Sequence, residues 1–230
     1  MGLSKEKFYR GTEGYLGNTK DCKLMFLMRE PDCKKGQTAR ENYFWFKGVV
    51  QDKNEKGRAK YYLQKLGRIA ALILKENDGG NIEDWVTSLK KAIYININPV
   101  TGEGTKSIEY RNALTSFAGG PDIECSISMN GQEYTYPSRW ETILNMPDGS
   151  TIVTVYDVYT IMFDWLKDNT DSISVSPFHL HIRTKSGLHY MRAFAFVRNG
   201  RRISVLETYH PAARGKNDFR WDDISICCKD

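Results

Sequence analysis

The sequence contains no run of about 18 consecutive apolar residues, and this absence excludes a predicted membrane-spanning helix. The first ten residues, MGLSKEKFYR, carry four charged side chains and no apolar segment, so we expect no secretory signal there. Internal repeats and low-complexity tracts are also absent from the sequence. We therefore expect a soluble chain that acts in the cytoplasm and has no membrane partner.

Cysteine is sparse as well, since the chain holds five, an odd number without regular spacing, which argues against a disulfide framework. Neither a C-x-x-C pair nor a cluster of histidine with cysteine offers metal-ligand spacing, so we expect no metal and no cofactor. His179, His181 and His189 alternate within a predicted hairpin and are interpreted as strand-surface residues. This cysteine pattern suits a reducing cytoplasm.

The composition that remains is that of an ordinary globular protein, with 40% apolar and 27% charged residues. A length of 230 residues suits a single domain over residues 1–230, and we expect a monomer.

Predicted strands and helices alternate along much of the chain. Short apolar runs predict buried strands at 22–28, 93–97 and 151–156. Helical spacing predicts helices that start near Asn42, at 59–75 and at 158–166, the last with Asp157 as its N-cap. This order predicts an α/β fold of three layers, α/β/α, around a mostly parallel central sheet. Residues 112–136 are glycine-rich, and their structure stays open.

The C-terminal third changes to strands joined by short turns, predicted at 179–183, 190–197 and 202–206. Asn199-Gly200 between apolar runs is a strong hairpin signal. We therefore predict a C-terminal β-hairpin elaboration of the α/β domain. The same region is basic, because nine lysines and arginines between Arg183 and Arg220 face only Glu207 and Asp218. Such a stretch fits a phosphate backbone, and the alternative is a solvated hairpin surface.

Polar side chains follow three of the predicted strands. Glu30 comes after the first, Asn96 ends the second, and His210 follows the last. Because parallel strands end at one edge of a sheet, where ligands bind, we expect these three side chains to line one cleft.

These clusters resemble the motifs of the uracil-DNA glycosylase superfamily. That family has Asp or Asn directly before a proline after its first strand, where this chain has Glu30-Pro31. An aromatic residue that stacks on the extruded base comes next, and this chain has Tyr43-Phe44-Trp45. The family's middle strand ends in an Asn that reads the base, similar to Asn96 before Pro99, and its closing His-Pro motif is similar to His210-Pro211.

The resemblance implies a DNA-repair hydrolase that excises uracil or a related damaged or mismatched base from DNA. It implies that Glu30 stabilises positive charge on the sugar and orients a water, while His210 hydrogen-bonds the departing base. The base-binding residues that it implies are Asn96, Asn98, Tyr43 and Phe44.

The resemblance also implies that Arg29, Arg214 and Lys216 contact the nucleic-acid backbone, and we expect the basic stretch to form a rim beside the cleft. Two features differ from the family's pattern. Glu30 is longer than the usual Asp or Asn, and Arg29 stands where the family has a glycine.

Other interpretations stay open. Glu30 can be a surface residue, the aromatic cluster at 43–46 can belong to the core, and Asn96 can satisfy backbone groups at a strand end. The whole chain can also be a non-catalytic protein of the same fold that binds nucleic acid or a protein partner. A third possibility is an enzyme that acts on another substrate in the same pocket.

Overall fold

The computed structural model of the chain describes residues 14–15, 22–28, 58–74, 82–96, 125–129, 132–136, 143–176, 178–184, 187–209 and 223–228. Within these residues the fold is α/β, a mixed sheet with helices. None of the described helices is long and apolar enough to cross a membrane.

The described strands are β1 (Gly14–Tyr15), β2 (Leu24–Met28), β3 (Ala92–Asn96), β4 (Cys125–Met129), β5 (Gln132–Tyr136), β6 (Ser150–Val155), β7 (Ser172–Val175), β8 (Phe178–Thr184), β9 (Gly187–Tyr190), β10 (Ala193–Arg198), β11 (Arg201–Thr208) and β12 (Asp223–Cys228). The described helices are α1 (Arg58–Ile73), α2 (Ile82–Leu89) and α3 (Tyr156–Asn169). The strands form a seven-stranded sheet in the order β1-β3-β2-β6-β11-β10-β7, a three-stranded sheet β12-β8-β9, and the pair β4-β5.

The centre of the large sheet is parallel. Strands β3, β2, β6 and β11 run in the same direction, whereas β1, β10 and β7 pair antiparallel at the two sides. The prediction of a mostly parallel sheet is therefore right for the centre and wrong for the sides. The reason on one side is the connection between β10 and β11, because a two-residue loop can join only antiparallel neighbours.

Strand β2 lies in the middle of the core. Its five residues, Leu24–Met28, are each at most 1% exposed, so side chains on both faces of the strand are buried. A central parallel strand reads as a continuous apolar run for this reason, and the predicted strand at 22–28 is confirmed. Helix α1 packs Leu63, Leu66 and Ile69 into the same core, at the spacing of one helix face.

The hairpin between β10 and β11 has the predicted turn. Asn199 has a φ of 50° and Gly200 a φ of 72°, the left-handed pair that a type I′ turn requires. Two carboxylates hold this turn, since Asp171 Oδ2 accepts a hydrogen bond from the Asn199 amide at 2.7 Å and Asp148 Oδ1 one from the Arg202 amide at 2.8 Å. The turn lies at the amino ends of the parallel strands, because β11 begins there.

Two predicted details are wrong. Helix α3 begins at Tyr156 with Val155 in the N-cap position, so Asp157 lies inside the first turn and does not cap the helix. Its carboxylate still complements the positive end of the helix dipole. The predicted strand at 190–197 is two strands, β9 and β10, separated by Met191 and Arg192. Helix α2 and strands β1, β4, β5, β7 and β12 have no predicted counterpart.

Candidate functional site

Four parallel strands end along one edge of the sheet, called here the carboxyl edge. Met28 of β2 pairs in register with Asn96 of β3, and Val155 of β6 pairs with Thr208 of β11. Glu30 follows Met28 by two residues and His210 follows Thr208 by two. The three polar clusters that sequence reasoning selected therefore follow β2, β3 and β11, which end at the same edge of the sheet.

Asn96 is described through its backbone, as the last residue of β3. The other predicted site residues lie outside the described residues: Arg29, Glu30, Tyr43, Phe44, Asn98, His210, Arg214 and Lys216. For these residues, the structure therefore describes the ends of the strands that precede them in the chain.

The order of the parallel strands changes direction beside β2. The chain passes from β2 to β3 on one side and later to β6 on the other side of β2. In open α/β sheets, ligands bind outside the carboxyl ends of the strands at such a reversal. The reversal lies between the ends of β2 and β6, so Met28 and Val155 are its described boundaries.

A charged and aromatic cluster, called here the Arg192 cluster, lies at the carboxyl edge and consists of Tyr156, Tyr159, Thr160, Arg192 and Glu207. Arg192 Nε donates to Glu207 Oε2 at 2.7 Å and its Nη2 donates to Glu207 Oε1 at 3.1 Å, a two-point contact. Nη2 also donates to Thr160 Oγ1 at 3.4 Å. The guanidinium carbon lies 4.7 Å from the ring centre of Tyr156 and 4.5 Å from that of Tyr159.

The charges of this cluster form an ion pair between Arg192 and Glu207, and the arginine lies against two tyrosine rings. The Glu207 side chain is 10% exposed and that of Arg192 is 47% exposed. The hydrogen bond to Glu207 raises the pKa of the Arg192 guanidinium above its ordinary value, so the arginine stays charged. Because Glu207 neutralises it, the cluster adds no net positive charge to the carboxyl edge.

A second polar group ties the end of β11 to the smaller sheet. The Tyr209 hydroxyl lies 3.2 Å from His189 Nδ1, and His189 Nε2 lies 3.0 Å from Thr184 Oγ1. Tyr209 directly precedes His210, so the segment that leads to the predicted catalytic histidine is held through β8 and β9. Beside it, Thr208 Oγ1 is buried and has no hydrogen-bond partner among the residues that the structure describes.

The interpretation of the three strand histidines as surface residues is right in part, since all three side chains are partly exposed. His189 bonds two hydroxyl groups, the His181 ring meets the Tyr190 ring edge to face at 4.5 Å, and His179 Nε2 is buried. Within the described ranges, no group of three metal-ligating side chains is found.

The predicted basic rim is divided between the two edges. Arg198, Arg201 and Arg202 lie at the β10–β11 turn, hence at the amino edge of the parallel strands. Arg192 lies at the carboxyl edge, but Glu207 neutralises it. The expectation that the whole stretch lines the cleft is therefore wrong for these residues, because β11 carries its first and last residues to opposite edges.

The raised pKa of Tyr159 predicts a loss of stability at alkaline pH. Burial raises the pKa of its phenol from 10.0 to about 12, so the folded protein keeps a proton that the unfolded chain loses between those values. The free energy of unfolding should therefore fall as the pH rises from 10 toward 12. Tyr159→Phe should weaken this fall in urea unfolding at several alkaline pH values. Tyr190→Phe, at an exposed position, is the control, and an identical pH dependence in wild type and Tyr159→Phe would contradict the assignment.

Comparisons with protein-family models, with curated proteins and with solved structures find no match for this chain.

Proposed function

We propose that the chain is a uracil-DNA-glycosylase-like hydrolase that excises uracil or a related damaged or mismatched base from DNA. The observation that supports this most is the shared edge of β2, β3 and β11, since Glu30, Asn96 and His210 each lie within two residues of the end of one of these strands. The proposal includes a monomeric, cytoplasmic single domain in which helices cover both faces of the sheet and the C-terminal hairpin is an elaboration.

Base excision needs stabilisation of two charges that develop as the bond between base and sugar breaks. The sugar becomes positive and the base negative, and a water supplies the new oxygen on the sugar. Glu30 stabilises the sugar cation and accepts a proton from that water. His210 donates a hydrogen bond to the departing base, which needs a preorganised partner as its negative charge grows.

Recognition of the extruded base falls to the remaining residues. Asn96 offers a donor and an acceptor to the edge of the base, and Asn98 adds a second amide. Tyr43 and Phe44 supply stacking faces, a contribution of about 1–3 kcal/mol for each stacked base. Arg29, Arg214 and Lys216 contact phosphates beside the gap that the extruded base leaves.

The test of this function is the release of base by the wild-type protein. Oligonucleotides that carry uracil, hypoxanthine or a mismatched base, single- or double-stranded, are incubated under single-turnover conditions. Abasic sites are then read as alkali-labile breaks. Release of at least one base supports the proposal, and complete recovery of every intact substrate contradicts it.

The second candidate is a non-catalytic protein of the same fold that binds nucleic acid or a protein partner. Two residues favour it. Glu30 is one methylene longer than the Asp of the family's motif, and Arg29 puts a cation where the family has a glycine. Both changes alter where a water would sit. An enzyme that acts on another substrate in the same pocket would also fail the base-release test.

The salt dependence of binding tests which edge contacts DNA. Replacing Arg214 and Lys216 together by glutamine should reduce the slope of log affinity against log salt by about 1.4–1.8, because each lost phosphate contact contributes about 0.7–0.9. Arg201→Gln with Arg202→Gln makes the same charge change at the amino edge and should leave the slope unchanged. A reduced slope in the Arg201 and Arg202 variant, with an unchanged slope in the Arg214 and Lys216 variant, would mean that the nucleic acid binds at the β10–β11 turn.

A further inference from the structure

The first residue after β6, Tyr156, occupies the centre of the carboxyl edge. Strand β6 lies between β2 and β11 in the sheet, so Tyr156 follows the strand that separates the two from which Glu30 and His210 continue. It also borders the reversal of strand order at which ligands bind in sheets of this kind.

The side chain of Tyr156 is largely exposed to solvent. It is 61% exposed, whereas Tyr159 in the next turn position of the same helix is 6% exposed and packs edge to face on Phe194 at 5.1 Å. Tyr159 is therefore part of the hydrophobic core. The exposed ring of Tyr156 adds little to the core, so folding alone does not explain it.

The ring of Tyr156 is held from one side by Arg192, 4.7 Å away. Arg192 cannot swing away at low cost, because Glu207 binds it at two points and Thr160 adds a third contact. Thr160 Oγ1 also donates to the Tyr156 carbonyl at 3.2 Å, which joins the helix turn to the same cluster. The ring is therefore supported before any ligand arrives, and less side-chain freedom is lost on binding.

We propose that Tyr156, supported by Arg192, is a stacking surface for an unpaired nucleobase of a single-stranded segment beside the excision site. The inference rests on the proposed nucleic-acid function and adds a contact that none of the sequence motifs contains. A flat, largely exposed ring with a cation over it suits a planar, polarisable ligand, and every base has such a face.

The charge of the cluster makes this contact different from a phosphate contact. The Arg192–Glu207 pair is neutral overall, so a base that stacks on Tyr156 displaces no counterions from a phosphate. The contribution of Tyr156 to affinity should therefore be nearly independent of salt. This separates the ring from Arg214 and Lys216, whose contributions should fall as salt rises.

The experiment measures the affinity of the wild-type protein and of Tyr156→Ala, Tyr156→Leu and Tyr156→Phe for fluorescent oligodeoxythymidylate over a range of salt. Tyr156→Phe keeps the ring and should bind as the wild type does. Tyr156→Leu keeps apolar area without the flat ring, and it should bind about 5- to 150-fold more weakly, as should Tyr156→Ala. All four proteins should show the same salt slope. Oligouridylate, run in parallel, tells whether the bound strand is DNA or RNA.

The outcomes separate this inference from the proposed function. Weakened binding of the leucine and alanine variants supports the stacking surface, even if the wild type releases no base, in which case the non-catalytic candidate gains. Unchanged affinity in those variants overturns the stacking surface while base release by the wild type still stands. A wild-type protein that binds no oligonucleotide at low salt overturns both. Thermal unfolding should show that each variant is folded, and the leucine and alanine variants should lose at most the small stabilisation that an exposed cation–π contact contributes.

Discussion

Replacing Glu30 by glutamine is expected to slow base release by about 10²–10³-fold, because the amide keeps the shape of the side chain but removes the charge that opposes the sugar cation. Affinity for the substrate should change far less than the rate, since the carboxylate acts mainly on charge that develops during the reaction. The measurement is single-turnover base release together with the affinity of the same variant for the same oligonucleotide.

His210→Ala should slow release by a similar factor, because it removes the donor to the departing base. The two changes together are expected to cost less than the product of the single effects, as is usual for groups that act on one transition state. Asp164→Asn is the control, since it removes an exposed carboxylate from helix α3 and leaves both predicted catalytic residues in the sequence unchanged. Full activity in both Glu30→Gln and His210→Ala would mean that other residues carry the chemistry.

Gly67→Ala is expected to lower the free energy of unfolding by about 1–3 kcal/mol, the range found for overpacked contacts. A Cβ on Gly67 of helix α1 would lie 2.7 Å from the Trp85 Cβ and 2.8 Å from the Trp85 carbonyl oxygen in α2. These atoms cannot rotate away, so the two helices would have to separate.

Helix propensity predicts the opposite sign for this substitution, a gain of about 1 kcal/mol from glycine to alanine inside a helix. The sign of the change therefore decides between the two effects. Urea unfolding followed by circular dichroism measures the change in the free energy of unfolding. Gln64→Ala in the same helix is the control, and it should change that free energy little. Stability equal to or above that of the wild type would show that α1 and α2 are not in close contact at Gly67.

The parts of the fold that could be predicted from sequence are those with a strong local signal. The run Leu24–Met28 is apolar without interruption because both faces of β2 are buried, and Asn199-Gly200 specifies its turn through two positive φ values. Strands β3, β6 and β11 were also predicted within a few residues, because each is a short β-branched run that ends at a turn or polar signal.

The parts that could not be predicted depend on contacts between distant residues. The break at Met191 and Arg192 is invisible in a continuous run of strand-forming residues, and helix α2 has only eight residues in which periodicity can show. The Arg192 cluster depends on the register of β10 against β11 and on where α3 begins. One signal did exist, since Glu207 stands within an apolar strand, and a carboxylate buried there needs a cationic partner.

For the candidate site, the sequence could predict which strands end there but not how the side chains are arranged. Met28, Asn96 and Thr208 end neighbouring or nearly neighbouring parallel strands, which is the geometry that the three polar clusters require. Neither the pattern of residues nor their spacing indicated Tyr156, because the sequence predicts it as the last residue of the buried strand 151–156. The exposure of Tyr156 and its contact with Arg192 are properties of the folded chain that the sequence pattern does not contain.

The most direct test of the central claim is an experimental structure of the protein with a bound single-stranded oligonucleotide that carries one uracil at a non-cleavable sugar. We predict that the uracil lies beyond the ends of β2, β3 and β11, with Asn96 and His210 within hydrogen-bond distance of the base and the Glu30 carboxylate facing the sugar. A uracil bound elsewhere, or any of these three side chains on the opposite edge of the sheet, would contradict the account.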